Sequence, residues 1–134
     1  MKIKDILLKI KNKNALAYSQ QVQKTIYNNI HFGYDKIDDI IQDLENELDE
    51  LKQEISKNNK NNNVQRIFEE LGDVFFVLCN LSNYYNINST EALDYSTNEY
   101  IRRITACEKN YSGDIAKISA EDMLVLWKQA KLHK

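Results

Sequence analysis

Proline is missing from this chain altogether, and glycine occurs only three times in 134 residues, at Gly33, Gly72 and Gly113. Sheet domains of this size need many tight turns, and those turns draw on both residues. Their scarcity excludes a sandwich or barrel and predicts an all-α fold. Strong charge of one sign is also lacking: 18 basic and 20 acidic residues leave a net charge of −2. A nucleic-acid partner usually demands a basic face, so none is expected. No apolar run approaches the roughly 20 residues of a membrane span, so no membrane partner is expected either. Residues Met1 to Ile10 show no long apolar stretch and no small-residue cleavage site, which predicts a cytoplasmic protein. Cysteine is sparse as well. Cys79 and Cys107 both fall within helical patterns and read as reduced thiols rather than a disulfide. His31 and His133 read as surface residues. The length suits one domain, spanning residues 1–134.

What is present is helical periodicity. A first helix is expected from about Ile3 to Asn29, with a flaw near Asn12 to Asn14 that divides it into two pieces or leaves it whole. A break follows over Ile30 to Lys36. The second helix covers Ile37 to Ser56, where Ile37, Ile40, Ile41, Leu44, Leu48, Leu51 and Ile55 keep one apolar stripe. The polar run from Ser56 to Asn63 reads as a hairpin connection. The third helix covers Val64 to Tyr85 and is apolar on more than one face, which predicts a central position. Gly72 sits in its middle at a cost of about 1 kcal/mol relative to alanine, as a close approach of another backbone would explain. A fourth helix is expected from Asn88, with Glu91 completing a capping box, to about Tyr111. Ser119 and Asp122 open a short fifth helix.

The chemistry lies on the second and third of these helices. At about 100° per residue, Asp43, Glu47, Glu50 and Glu54 fall on one flank of the apolar stripe. Like charges at this spacing repel by a few tenths of a kcal/mol per pair. Glu70 and Asp73 form an i, i+3 pair on the third helix, with Arg66 one turn earlier and Asn80 near the same line. If the helices pair antiparallel across the hairpin, Glu47 and Glu50 can face Glu70 and Asp73. Four converging carboxylates call for cations, and oxygen-only ligands suit Mg²⁺ or Mn²⁺. Mg²⁺ held this way commonly engages substrate phosphates. The plain alternative is a solvated helix shoulder, which is how Asp39, Asp43, Glu45 and Asp49 read.

At these residues the sequence resembles the MazG family of all-α nucleoside triphosphate pyrophosphohydrolases. The resemblance rests on Asn46-Glu47-Leu48-Asp49-Glu50-Leu51 and on Glu69-Glu70-Leu71-Gly72-Asp73-Val74-Phe75-Phe76. It continues through Val77-Leu78-Cys79-Asn80-Leu81, Glu91-Ala92-Leu93 and Tyr100-Ile101-Arg102-Arg103-Ile104. It resumes at Ser119-Ala120-Glu121-Asp122-Met123 and Leu126-Trp127-Lys128-Gln129-Ala130-Lys131, and Phe32-Gly33-Tyr34 looks like an aromatic segment of the same family. It implies a bundle of four to five helices completed by oligomerisation, as a homodimer or homotetramer. By the resemblance, Glu47, Glu50, Glu70 and Asp73 are the catalytic cluster and ligate Mg²⁺, with Mn²⁺ as a possible substitute. The substrate is then a nucleoside triphosphate, cut between its α and β phosphates to a monophosphate and pyrophosphate. Glu47 is the first choice to accept the water's proton. Arg66 and Arg103 match positions for the triphosphate, and Trp127 and Lys131 match positions that close over the site. Phe32 and Tyr34 stack on or border the base. Asn80 contacts the nucleotide or caps an internal polar contact.

Simpler roles stand beside these: ion pairing for Arg103, core packing for Trp127, and plugging the bundle end for Phe32 and Tyr34. Two departures bear on function. Asn46 replaces the first acid of the family's adjacent pair, on the side away from the cluster. Glu99 stands where the family usually carries a lysine, and a glutamate there repels phosphate. Glu99 is the feature that favours the alternative of a noncatalytic helical interaction or regulatory module. A carboxylate-bridged di-iron bundle is disfavoured, because neither histidine has a glutamate three residues before it.

Overall fold

A computed structural model describes residues 2–11, 14–57 and 63–133. Among these residues the chain is all-α, with six α-helices, one 3₁₀ turn and no strand. The helices are α1 (Ile3–Leu8), α2 (Ala15–Ile30), α3 (Ile37–Ser56), α4 (Asn63–Tyr84), α5 (Ser89–Asn110) and α6 (Ala120–Leu132), with the 3₁₀ turn at Ile115–Lys117 before α6. The sequence expectation of four or five rises to six because the first helix is two. Asn14 caps α2, its side chain accepting from the Ala17 amide at 2.9 Å. Such a cap satisfies an amide that a continuous helix would not leave free. The expected flaw itself falls partly on residues 12 and 13, and the polar hairpin run mostly on 58–62, both outside the described residues.

The chain divides into two compact units, Met1–Thr90 and Glu91–Lys134. In the first, α4 packs against α3 and α2. Its core is small: Ile40, Val74, Val77 and Cys79 are the buried hydrophobic residues. Burial pushes the Cys79 thiol pKa up, and both cysteines are free. Gln20 ties α2 to the chain beyond α4. Its Nε2 donates to Asn83 Oδ1 at 3.0 Å and the Ile87 carbonyl at 2.8 Å, and its Oε1 accepts from the Ser89 amide at 2.8 Å. A buried glutamine is tolerated there because both ends of its amide are used.

In the second unit, Ser119 caps α6 by accepting from the Asp122 amide at 3.1 Å, as its sequence position predicts. Arg102 on α5 donates to the Ala130 and His133 carbonyls at 3.3 and 3.0 Å, satisfying the end of α6.

Two features fix how α3 and α4 meet. Asn63 is buried at the first position of α4, and its Nδ2 donates to the Glu54 and Lys57 carbonyls at 3.1 and 2.7 Å. Seven residues back from Glu54 is Glu47, and seven on from Asn63 is Glu70. Equal rises of about 10 Å along two antiparallel helices therefore bring those glutamates level.

The loop between α2 and α3 is held from below by Tyr27. Its hydroxyl donates to Asp35 at 2.6 Å, and its ring packs on His31 with centroids 4.6 Å apart. His31 ends α2 in the left-handed region at φ 56°. A Cβ at Gly33 would lie 2.8 Å from the Tyr27 ring, so only glycine fits. Gly72 differs from expectation. A Cβ there would meet nothing within 4 Å among the described residues, so none of them brings a neighbouring backbone up to it.

The Asn63 clamp generates a prediction. Asn63→Ala releases two α3 carbonyls and should lower stability by about 1–2 kcal/mol, read by urea denaturation. It should also weaken divalent-cation binding, measured by calorimetry, because the register that levels Glu47 with Glu70 loses its anchor.

Candidate metal centre and adjoining chamber

The α3–α4 pairing brings Glu47, Glu70 and Asp73 together. One carboxylate oxygen from each lies within 4.8 Å of the other two. Glu47 and Glu70 are half-buried, and each has an Oε2 closed to solvent with no hydrogen-bond donor. The Glu50 carboxylate lies close enough to raise the pKa of both glutamates. Glu54, one turn further along α3, adds to the negative field at Glu70 and pairs with Lys57 at 2.8 Å. Three acidic positions on α3 thus face two on α4, along one seam of the first unit.

The electrostatic consequence is large. Loss of hydration, then the neighbouring Glu50, Asp73 and Glu70, raise the Glu47 carboxyl from 4.5 to about 7. Glu70 is raised for the same first reason, followed by Glu50, Asp73 and Glu54. Two carboxyls with raised pKa values and sealed oxygens are starved of positive charge. Three hard oxygen donors at this spacing suit a divalent cation. The residues present therefore fit a metal ion, and Glu47, Glu70 and Asp73 can hold it, with Glu50 beside them.

Next to this seam the first unit has an open chamber of about 1060 Å³. Tyr34 and Phe32, expected near a base, line it, as does Asn80, expected to contact the nucleotide or to cap an internal polar contact, together with Asp43, Phe76 and Gln23. Asp43 is one helical turn before Glu47, and Phe76 is three residues past Asp73, so chamber and carboxylates adjoin. The Tyr34 hydroxyl donates to Asp43. Burial, that bond, and the charges of Asp43 and Glu47 push Tyr34 up to about 12. Asp43 read as a solvated shoulder from sequence, but it is half-buried at the chamber wall. Only its partner Tyr34, nine residues earlier, could have signalled this. Gln23 was also missed, since a lone polar residue in α2 has no spacing that marks it.

The other expected site residues lie apart from this cluster or in the second unit. Arg66 is exposed on α4, one turn before Glu70, and makes no ion pair among the described residues. In the second unit, Arg103 lies over the Trp127 ring at 5.8 Å and pairs with Glu99 at 3.7 Å. Glu99 also pairs with Arg102 at 3.1 Å. Trp127 is half-buried and its ring centroid is 5.5 Å from that of Tyr100. Lys131 is exposed on the last turn of α6.

The raised Glu47 pKa has a definite sign in stability. Between pH 4.5 and about 7 the folded protein keeps a proton that the unfolded chain has lost. In metal-free buffer the melting temperature should therefore fall as pH rises through this window. Glu47→Gln should flatten the fall, and added divalent cation should raise the melting temperature more at pH 8 than at pH 5. Thermal scans across pH, with and without cation, check all three.

The chain matches the family model of the MazG nucleotide pyrophosphohydrolase domain over residues 36–107, which include the whole α3–α4 pair. It is 37% identical over 65 residues to the uncharacterized protein YabN of Bacillus subtilis (strain 168), covering 46% of this chain and 13% of that protein. It is 24% identical over 120 residues to the nucleoside triphosphate pyrophosphohydrolase/pyrophosphatase MazG of Thermotoga maritima, covering 87% of this chain and 44% of that protein. The chain thus spans less than half the length of these curated relatives. No helix among the described residues is long and apolar enough to cross a membrane. With its family match centred on the two helices that carry the acidic seam, the chain belongs to the MazG nucleotide pyrophosphohydrolase family.

Proposed function

We propose that this protein is a Mg²⁺-dependent nucleoside triphosphate pyrophosphohydrolase that cuts between the α and β phosphates. The observation that carries this reading is the meeting of Glu47, Glu70 and Asp73 within 4.8 Å, with two sealed, unpaired oxygens, beside a chamber large enough for a nucleoside. The name of the Thermotoga maritima relative supports the same chemistry. Mn²⁺ has the ligand preferences to substitute.

When bound, Mg²⁺ supplies neutralisation of phosphate charge and a lowered pKa for nearby water. The chain's own groups do the rest. Glu47 takes the proton of the attacking water, Glu70 and Asp73 hold the negative seam to which a cation–phosphate pair is drawn, and Glu50 steadies both glutamates. The P–O bond between the α and β phosphates breaks, pyrophosphate leaves, and the water's oxygen stays on a phosphate of the products. Phe32 and Tyr34 border the base, and Asn80 faces the nucleoside. Arg66, Arg103 and Lys131 are the bases assigned to the triphosphate, with Trp127 closing over it.

The working form in this proposal is a homodimer or a pair of dimers. Val64, Phe68, Leu71, Phe75 and Leu78 repeat at spacings of 4, 3, 4 and 3 on α4, and all are exposed, Phe68 by 70%. Ile41, Leu48 and Ile55 form a second exposed stripe on α3, seven residues apart. Such a/d stripes bury themselves against partner helices, and a second copy supplies matching ones. Gly72, beside the α4 stripe with open space over it, would let a partner helix approach closely. The protein works in the cytoplasm, where free nucleotides and Mg²⁺ are found.

One observation favours a second reading, a noncatalytic helical module that keeps the fold. Glu99 neutralises part of the charge of Arg102 and Arg103, at 3.1 and 3.7 Å. A single assay separates the two. Incubation with each common ribo- and deoxynucleoside triphosphate and Mg²⁺ should release pyrophosphate with at least one, and Glu70→Gln or Asp73→Asn should slow it by roughly 100-fold or more. No release with any nucleotide would leave the module. For assembly, light scattering should give a dimer or tetramer, and Phe68→Glu should shift it to monomer.

A further inference from the structure

The chamber holds one polar group that packing leaves unexplained. Gln23, on α2, lines the chamber and is only 9% exposed. Its Nε2 donates to the Phe76 backbone carbonyl at 3.0 Å. That bond fixes which way the amide points, because turning it over would set oxygen against oxygen. Oε1 is then closed to solvent and has no donor among the described residues. Buried acceptors are nearly always paired, and one left unpaired at the wall of a binding chamber is suited to a ligand's donor.

The chamber wall mixes acceptors and donors: the Asp35 and Asp43 carboxylates, which take hydrogens from Tyr27 and Tyr34, stand with the side chains of Lys24, Asn28 and Asn83. A base can offer Gln23 Oε1 either a ring N–H or an exocyclic amino group. An exocyclic amino group brings two hydrogens and no acceptor on the same atom. Asn80, one turn beyond Phe76, lines the chamber too and can adapt to the neighbouring ring nitrogen or oxygen. Phe76 itself lies three residues past Asp73, so a base held here leaves its phosphates toward the carboxylate seam.

We infer that Gln23 Oε1 accepts a hydrogen bond from the exocyclic amino group of the substrate's base, which makes Gln23 a specificity-determining residue for amino-bearing nucleotides. The inference rests on the nucleotide reading above. Sites built to hydrogen-bond a substrate N–H discriminate strongly against analogues that lack it, because the site's own group is stranded.

The test uses pairs that differ only by the amino group: ATP against purine riboside triphosphate, GTP against ITP, and CTP against its 4-deamino (2-pyrimidinone) analogue. For the wild-type protein, kcat/KM should favour the amino member of at least one pair by roughly 10- to 100-fold, mostly through KM. Gln23→Leu should bring that ratio close to one. Equal rates within every wild-type pair, a preferred substrate without an amino group, or a ratio that survives Gln23→Leu would each overturn the inference and leave the hydrolase intact. The wild-type comparison stands even if the variant folds poorly. Absence of turnover with every nucleotide would remove the hydrolase and this inference together.

Discussion

Carboxylates on neighbouring helices repel, and in this protein the α3–α4 pairing holds them together in spite of it. The apolar contacts of Ile40, Val74 and Val77 supply the attraction. The Asn63 side chain, bonded to the Glu54 and Lys57 carbonyls, supplies the register. With 54 tied to 63, equal steps of seven residues bring 47 level with 70, and the repulsion becomes unavoidable. It is stored as raised Glu47 and Glu70 pKa values and as two sealed oxygens without donors. A seam in that condition gains from a cation what an ordinary acidic surface would not, because the surface acids are already solvated.

Much of this was legible in the sequence. The i, i+4, i+7, i+11 acids of α3 and the i, i+3 pair of α4 bordered predicted apolar stripes, and helical geometry alone put them on facing flanks. Helix bounds came within a residue or two for α3, α4 and α5, because their apolar periods are strong. The divided first helix was hinted at by its period, and the cap at Asn14 explains it. Other features depend on tertiary contacts that no local pattern encodes. Asn63 looked like the end of an asparagine-rich run, yet it is the clamp of the hairpin. Asp43 looked like solvated shoulder, yet Tyr34 reaches it across a loop that Tyr27 pins in place. Gln23 carried no signal, since its importance lies in an oxygen without a partner.

Gly72 and the third helix show what a single chain leaves undone. The apolar richness of α4 predicted a central helix with another backbone close to Gly72. Within the first unit α4 packs against α3 and α2, while Phe68, Leu71 and Phe75 are exposed and a Cβ at Gly72 would meet nothing within 4 Å among the described residues. Both expectations derive from composition, and composition reflects every surface the helix buries in its working assembly. The mismatch between a very apolar helix and a small core is what the proposed assembly would account for. The proposed second copy would supply the covering surface, and the heptad spacing of the exposed stripe says how it would pack.

Glu99 separates two properties that a family match tends to join. In the resemblance, a lysine and an arginine four residues apart on α5 present positive charge to phosphate. Here Glu99 pairs with Arg102 and Arg103, and Arg102 is further committed to the carbonyls that end α6. Arg103 shares the Glu99 carboxylate at 3.7 Å, its Nε has no partner among the described residues, and its guanidinium lies over Trp127. Within the first unit, the geometry of the α3–α4 seam is set by Asn63 and the core beneath it. In the proposed reaction, a weakened phosphate grip would change how readily substrate is captured, whereas the carboxylates would decide whether bond cleavage occurs. The departure at Glu99 therefore bears on affinity and substrate preference before it bears on chemistry, and the intact carboxylate seam is the stronger guide to what the protein does.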